Sequence, residues 1–269
     1  MQPYTEYIKN LLCLTKYISI MKIKSIVVSG ANEYTQIAPM LKIFGQYPKA
    51  EIGVQVSGKK AQESSARYWW LNALYYAMLK APQKISVALH INSNWVEQFG
   101  QGVVPHEIDI WLNHCPLNNG EPFIKRVQLN FKVGREKTPN IGALCYAMSR
   151  YPEQRFILSY NEANAEIITQ LHELGIKFDC LYDGSFGEGI IPNERLAPPF
   201  DDVLQGYAGG ISIENVSDEL DKIAKVVPRD REIFIDAEGK LKGENGHLSL
   251  GLAGEYLRRA FCWDKENNG

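Results

Sequence analysis

Along the chain, short runs of apolar and β-branched residues alternate with longer stretches whose apolar positions recur every three or four residues. The short runs read as buried strands and the longer ones as helices that lie one face against a sheet. Eight strand-like runs stand out: "IKSIVVSG" from Ile23, "AEIGVQVS" from Ala50, "KISVALHI" from Lys84, "IKRVQLNF" from Ile124, "RFILSYNE" from Arg155, "FDCLYDGS" from Phe178, "LQGYAGG" from Leu204 and "REIFIDAEG" from Arg231. Helical patterns fall between them, among them "TQIAPMLKIFGQ", "SSARYWWLNALYYAML", "NIGALCYAMSRY", "ANAEIITQLHELG" and "SIENVSDELDKIAKVV", with "GLAGEYLRRAF" after the last. Each connection is long enough for the crossover that parallel strands need. No Ser/Gly-rich linker interrupts the series, so the pattern predicts α/β architecture: a single (β/α)8 TIM barrel over residues 21–264, preferred to a doubly wound open sheet. Residues 1–20 read as a short N-terminal extension of helical periodicity, and 265–269 as a polar tail.

A barrel of this kind builds its active site at the C-terminal ends of the strands. In order, those ends carry Ser29 and Asn32, Gln55 and Ser57, His90 and Asn92, Asn130 and Lys132, Asn161 and Glu162, Asp183 and Ser185, Gly209 and Gly210, then Asp236 and Glu238. Asp183 and Asp236 are candidate acid/base carboxyls, and His90 is a candidate proton exchanger near neutral pH. Lys132 offers a charge for a phosphate or an amine for an imine; Glu162 with Asn161 offers a base and an amide, in a "NEAN" run that also reads as a helix cap. Glu162 facing Asp183 would suit glycoside chemistry. Asp183, Asp236 and His90 could gather a divalent ion, but no local motif enforces it; neither a metal nor another cofactor is expected. Trp69, Trp70 and Tyr76 lie at helical spacing and read as core, whereas Trp95 is a candidate lid.

The seventh run ends in adjacent glycines. Gly209 and Gly210 permit positive φ and bring bare backbone N–H groups close to an anion, and Ser212 stands ready to cap the helix that follows. At these residues, "AGGISIENV", the chain resembles phosphoribosylanthranilate isomerase and related phosphate-binding barrels, whose segment after the seventh strand reads "GGL-x-x-x-NV". "VQLN" ending at Asn130, "LYDGSFGEG" from Leu181 and "FIDAEGKL" resemble further family segments in the same order. The resemblance spans about Ile23 to Ala260. It implies phosphate held by the amides of Gly209, Gly210, Ile211 and Gly239, with Asp183 as the acid. The same strand ends offer Asn130, Lys132, His90, Glu162 and Asp236 as substrate contacts, and the resemblance implies a place in amino-acid biosynthesis. Ser29 stands where the family has its cysteine base, and a hydroxyl ionises far less readily than a thiol. On the eighth strand Glu238 stands close to the expected phosphate.

Composition narrows the rest. With 45% hydrophobic and 22% charged residues and a formal charge of -2, the chain is an ordinary globular one without a basic field for nucleic acid or an anionic membrane. Lys9 and Lys16 break the one N-terminal apolar stretch that approaches membrane length. Five scattered cysteines, Cys13, Cys115, Cys145, Cys180 and Cys262, lack metal-ligand spacing and read as reduced thiols of a cytoplasmic protein. The expected function is acid/base isomerisation of a small phosphorylated sugar metabolite by a monomer or homodimer. The alternatives are a barrel that binds a ligand or partner without turnover, or a barrel lyase, aldolase or hydrolase.

Overall fold

A computed structural model describes residues 20–81, 85–134, 137–183, 191–192 and 194–268. The extension expected over residues 1–20 therefore lies, except for Ile20, outside the described residues.

The eight expected strands all form. They are β1 (Lys22–Ala31), β2 (Ala50–Val56), β3 (Ser86–Ile91), β4 (Arg126–Leu129), β5 (Arg155–Tyr160), β6 (Phe178–Tyr182), β7 (Gln205–Tyr207) and β8 (Glu232–Ala237). Each pairs in parallel with its neighbours, and β8 returns to β1, so the sheet closes into a barrel in sequence order. The described helices are α1 (Ile37–Phe44), α2 (Ala66–Lys80), α3 (Asn94–Gly100), α4 (His106–Asn113), α5 (Ile141–Ser149), α6 (Ala165–Glu173), α7 (Val216–Val226) and α8 (Leu250–Asn268). The (β/α)8 barrel expected from the pattern is thus the fold. α8 continues to Asn268, into the residues expected as a polar tail. No described helix is long and apolar enough to cross a membrane.

Successive strand residues point alternately outward to the helices and inward to the barrel axis. The outward set and the helices share one large apolar core. The inward set is layered. At mid-barrel, Val27, Ile157, Leu181, Ala208 and Phe234 form a separate apolar plug. Gly206 belongs there for a steric reason: a Cβ on it would overlap the Phe234 ring. The inward residues on either side of the plug are polar, which creates two chemically distinct ends.

Two aromatic expectations change. Trp70 is buried on α2, but Trp69 and Tyr76 are 62% and 63% exposed, because the helix is apolar around most of its circumference and only one face reaches the sheet. Trp95 is 4% exposed within α3 and packs into the core, so it is no lid. Between β3 and β4 the chain adds α4, whose Ile108, Trp111 and Leu112 are buried in a stretch without an expected element.

Candidate active site

The inward polar residues at the C-terminal ends of the strands open into a cavity of about 680 Å3. His90, Asn130, Lys132, Asp183, Gly209, Gly210, Ile211, Asp236 and Gly239 all line it. Ser29 lies just beneath the floor, 1% exposed, and its hydroxyl donates to Asp236 Oδ1 at 2.6 Å. Glu162 does not join them: it sits on an exposed turn after β5, while Ser159 and Asn161 of the same strand end line the cavity. The Glu162–Asp183 pairing expected for glycoside chemistry is therefore not assembled.

Asp236 is 8% exposed. Burial pushes its carboxyl up to about 7; the Ser29 hydrogen bond works against that, and the charges of Glu238, Asp183 and Glu51 work with it. A carboxyl poised there is half ionised at neutral pH, which suits proton transfer in either direction. His90 goes the other way. Burial, then the Arg126 charge beneath it, lower it to about 3. Burial thus favours the neutral imidazole, whose Nε2 has no hydrogen-bond partner among the described residues, as part of the cavity wall. Gly53 makes the room, since a Cβ there would overlap Ser29 Oγ and lie 3.1 Å from His90 Nε2.

Opposite the glycine turn the wall is a row of carboxamides. Gln128 Nε2 donates to Asn130 Oδ1 (2.7 Å), Asn130 Nδ2 to Asn92 Oδ1 (2.9 Å), and Asn92 Nδ2 to the His90 carbonyl (2.9 Å). Asn164, fully buried, ties the neighbouring strand ends by donating to the carbonyls of Phe131 and Ser159 and accepting from the Val133 amide. Such a network holds its members rigidly and presents neutral donors and acceptors.

The glycine turn is built as its sequence suggests, with φ of 86° at Gly209 and 67° at Gly210. Among the described residues, the amides of Gly209, Gly210 and Ile211 have no hydrogen-bond partner. Ser212 is not the helix cap, because α7 starts four residues later, at Val216. The intervening turn is closed instead by Asn215, which accepts from the Ser212 amide (2.8 Å) and donates to the Gly210 carbonyl (3.0 Å). Across the cavity mouth, Gly239 opens a single 3-10 turn with Lys240. The Glu238 carboxylate is occupied: Gln55 Nε2 donates to it at 2.6 Å and Lys242 Nζ lies 3.0 Å away. Its charge is thus offset by Lys242 at a mouth that also carries Lys132 and Lys240.

Several lining residues were not singled out by sequence reasoning. Gln128, Ser159 and Lys242 line the cavity; the inward alternation along β4 and β5 was the available signal for the first two. Ser93 also lines it, with the rare non-glycine φ of 55°, which no sequence pattern marks. Among the described residues no group of three or more His, Cys, Asp or Glu side chains is placed to hold a metal ion.

Fold and cavity together define a (β/α)8 barrel with a polar cavity at the C-terminal strand ends. Solved structures similar to it include TrpF from Jonesia denitrificans, at 11% identity and TM-score 0.51, covering 88% of this chain and 96% of that one. A phosphoribosylanthranilate isomerase complexed with reduced 1-(o-carboxyphenylamino)-1-deoxyribulose 5-phosphate is 13% identical at TM-score 0.50, covering 88% and 98%. The family 30 xylanase Xyn30A from Clostridium acetobutylicum is 8% identical at TM-score 0.55, covering 90% and 72%. At such identities the likeness is one of fold. No protein-family model and no curated protein sequence matches the chain.

Proposed function

We propose that the protein binds a small phosphorylated sugar in this cavity and isomerises it by proton transfer. The phosphate sits against the amides of Gly209, Gly210 and Ile211, with Gly239 and Lys240 closing from the other side, and the carboxamide row takes the hydroxyls. The observation that carries the reading is Asp236. A buried carboxyl held near neutrality, fixed by Ser29 and lining the same cavity as the glycine turn, is a group built to take up and return a proton.

In this mechanism ionised Asp236 removes a proton from the carbon next to the sugar carbonyl or imine, and Asp183 protonates the oxygen or nitrogen that accumulates charge. Asp236 then returns its proton to the former carbonyl or imine carbon while ionised Asp183 takes the proton of the neighbouring hydroxyl, so the carbonyl moves by one carbon and both carboxyls regain their starting states. Ser29, at the position of the related family's thiol, holds the base in place. The phosphorylated ligand in the phosphoribosylanthranilate isomerase complex supports the substrate class, and the carboxamide wall favours its sugar half over an aromatic one.

Exchange of carbon-bound protons of pentose and hexose phosphates in deuterated water, followed by NMR, tests it. Exchange is expected to rise with pH through about 7, as Asp236 ionises. Asp236→Asn should slow it by about 100-fold or more while inorganic phosphate still protects the protein against heat. Undiminished exchange in Asp236→Asn, or wild-type protein that phosphate does not protect, overturns the reading.

A further inference from the structure

Behind the glycine turn, on the side away from the cavity, lies a side chain that touches no ligand position yet governs what the turn can do. Arg195 comes from the long connection between β6 and β7, and its side chain is 1% exposed. Its Nε and Nη2 converge on one oxygen, Oε2, of the Glu219 carboxylate of α7, at 2.8 and 2.7 Å. The same guanidinium donates through Nη1 to the Ala208 carbonyl at 2.6 Å and through Nη2 to the Gly209 carbonyl at 3.2 Å. The Glu219 carboxylate, 2% exposed, also takes Lys222 on its other oxygen at 2.7 Å, so both of its oxygens are engaged.

The consequence is geometric. All described peptide bonds are trans, so N–H and C=O of one peptide unit point in opposite directions. Drawing the Ala208 and Gly209 carbonyls back onto Arg195 turns the N–H groups of the same two units, those of Gly209 and Gly210, the other way, toward the cavity they line. Both glycines sit at positive φ, where many orientations of these units are open to the chain. A turn of that freedom needs an external clamp if its amides are to wait for an anion already aligned, and such preorganisation is what a small ligand's affinity depends on. We infer that Arg195, locked by Glu219, is the positioning residue of the phosphate site. This rests on the phosphate site proposed above.

Inorganic phosphate is the probe, read by calorimetry and by the amide NMR signals of Gly209 and Gly210. Arg195→Met alone would leave Glu219 buried without its partner, so the decisive protein is the double variant Arg195→Met/Glu219→Met, which removes the ion pair without stranding a charge. It is expected to fold, to bind phosphate at least about tenfold more weakly, and to lose the phosphate-induced shift of the two glycine amides. Arg195→Lys, which retains one donor arm, should recover part of the affinity. Arg155→Met, at the opposite end of the barrel, controls for lost stability and should bind as the wild type does. Wild-type protein that binds no phosphate removes the site and this inference together. Wild-type binding matched within about twofold by the double variant, or an equal loss in Arg155→Met, leaves the phosphate site standing and overturns the role of Arg195.

Discussion

The two ends of the barrel are both polar and both hollow, yet they are polar in opposite ways. At the C-terminal end the cavity of about 680 Å3 is walled by carboxamides, hydroxyls, a neutral imidazole and a carboxyl near half ionisation. At the N-terminal end a cavity of about 700 Å3 is walled by Ser25, Glu51, Ser86, Arg126, Arg155, Asp179 and Glu232, among others. There the polar groups are mostly ions in pairs: Arg126 donates to Ser25 at 2.8 Å and lies 3.1 Å from Glu51, although its Nε and Nη2 find no hydrogen-bond partner among the described residues, Arg155 lies 2.6 Å from Asp179, and Lys24 lies 2.9 Å from Glu232. The Arg126 guanidinium also lies 4.0 Å over the Phe234 ring at the base of the apolar plug. Polarity at a strand end is therefore no sign of a site. What separates the ends is the kind of polar group: ion pairs at the N-terminal end, and at the C-terminal end a carboxamide row, a raised carboxyl and a turn of bare glycine amides.

The sharpest way to break this contrast is at Arg126. Its side chain is 10% exposed, and those of Glu51 and Asp179 are 3% and 2%. Arg126→Ala would leave two carboxylates facing each other under the plug, and removing one member of a buried ion cluster costs about 3–5 kcal/mol. Urea denaturation should show that loss. Phosphate affinity of the remaining folded protein should stay close to wild type; a large fall in affinity with little change in stability would make this end part of the site.

Proton linkage gives a smaller effect with the opposite emphasis. Asp236, raised from 3.8 to about 7, keeps a proton in the folded protein that the unfolded chain releases above its own lower value. The stability it contributes is full below about pH 4 and is lost as pH rises through about 7, with a slope of at most about 1.4 kcal/mol per pH unit. Glu51, raised by burial at the other end, adds to the same slope. Asp236→Asn should flatten stability against pH only in part, and Asp236→Asn/Glu51→Gln further. A variant curve parallel to the wild type throughout would mean that Asp236 is ionised in the fold.

The barrel was readable because its signal is repetitive: eight apolar runs, each followed by a helical period, leave few other ways to close the core. The strand ends were readable for the same reason, which is why nine candidate residues share one cavity. Glu162 went astray because the inward alternation along β5 ends at Ser159 and Asn161, leaving the next side chain on an outer turn. The protonation states of His90 and Asp236 were beyond reach, since each depends on burial and on Arg126 or Ser29 brought from distant parts of the chain. Arg195 was invisible for a similar reason: its partners are two backbone carbonyls and a glutamate two dozen residues away.

The finest test compares one exposed ion pair from each end. Lys242 and Glu238, 40% and 31% exposed, sit at the C-terminal mouth; Lys24 and Glu232, 55% and 51% exposed, sit at the other. Being solvated, both pairs contribute little to folding, about 0–1 kcal/mol each, so Lys242→Ala and Lys24→Ala should be nearly equal in stability. They should differ in binding. Without Lys242 the Glu238 carboxylate, still anchored by Gln55, faces the anion with less compensation, and phosphate affinity should fall about two- to fivefold at low salt, with the difference shrinking as salt screens it. Lys24→Ala should leave affinity unchanged at every salt concentration. Equal phosphate affinities for the two variants across the salt series would place the anion away from the Gly239 turn, because two pairs so alike in exposure can differ only through what lies in front of them.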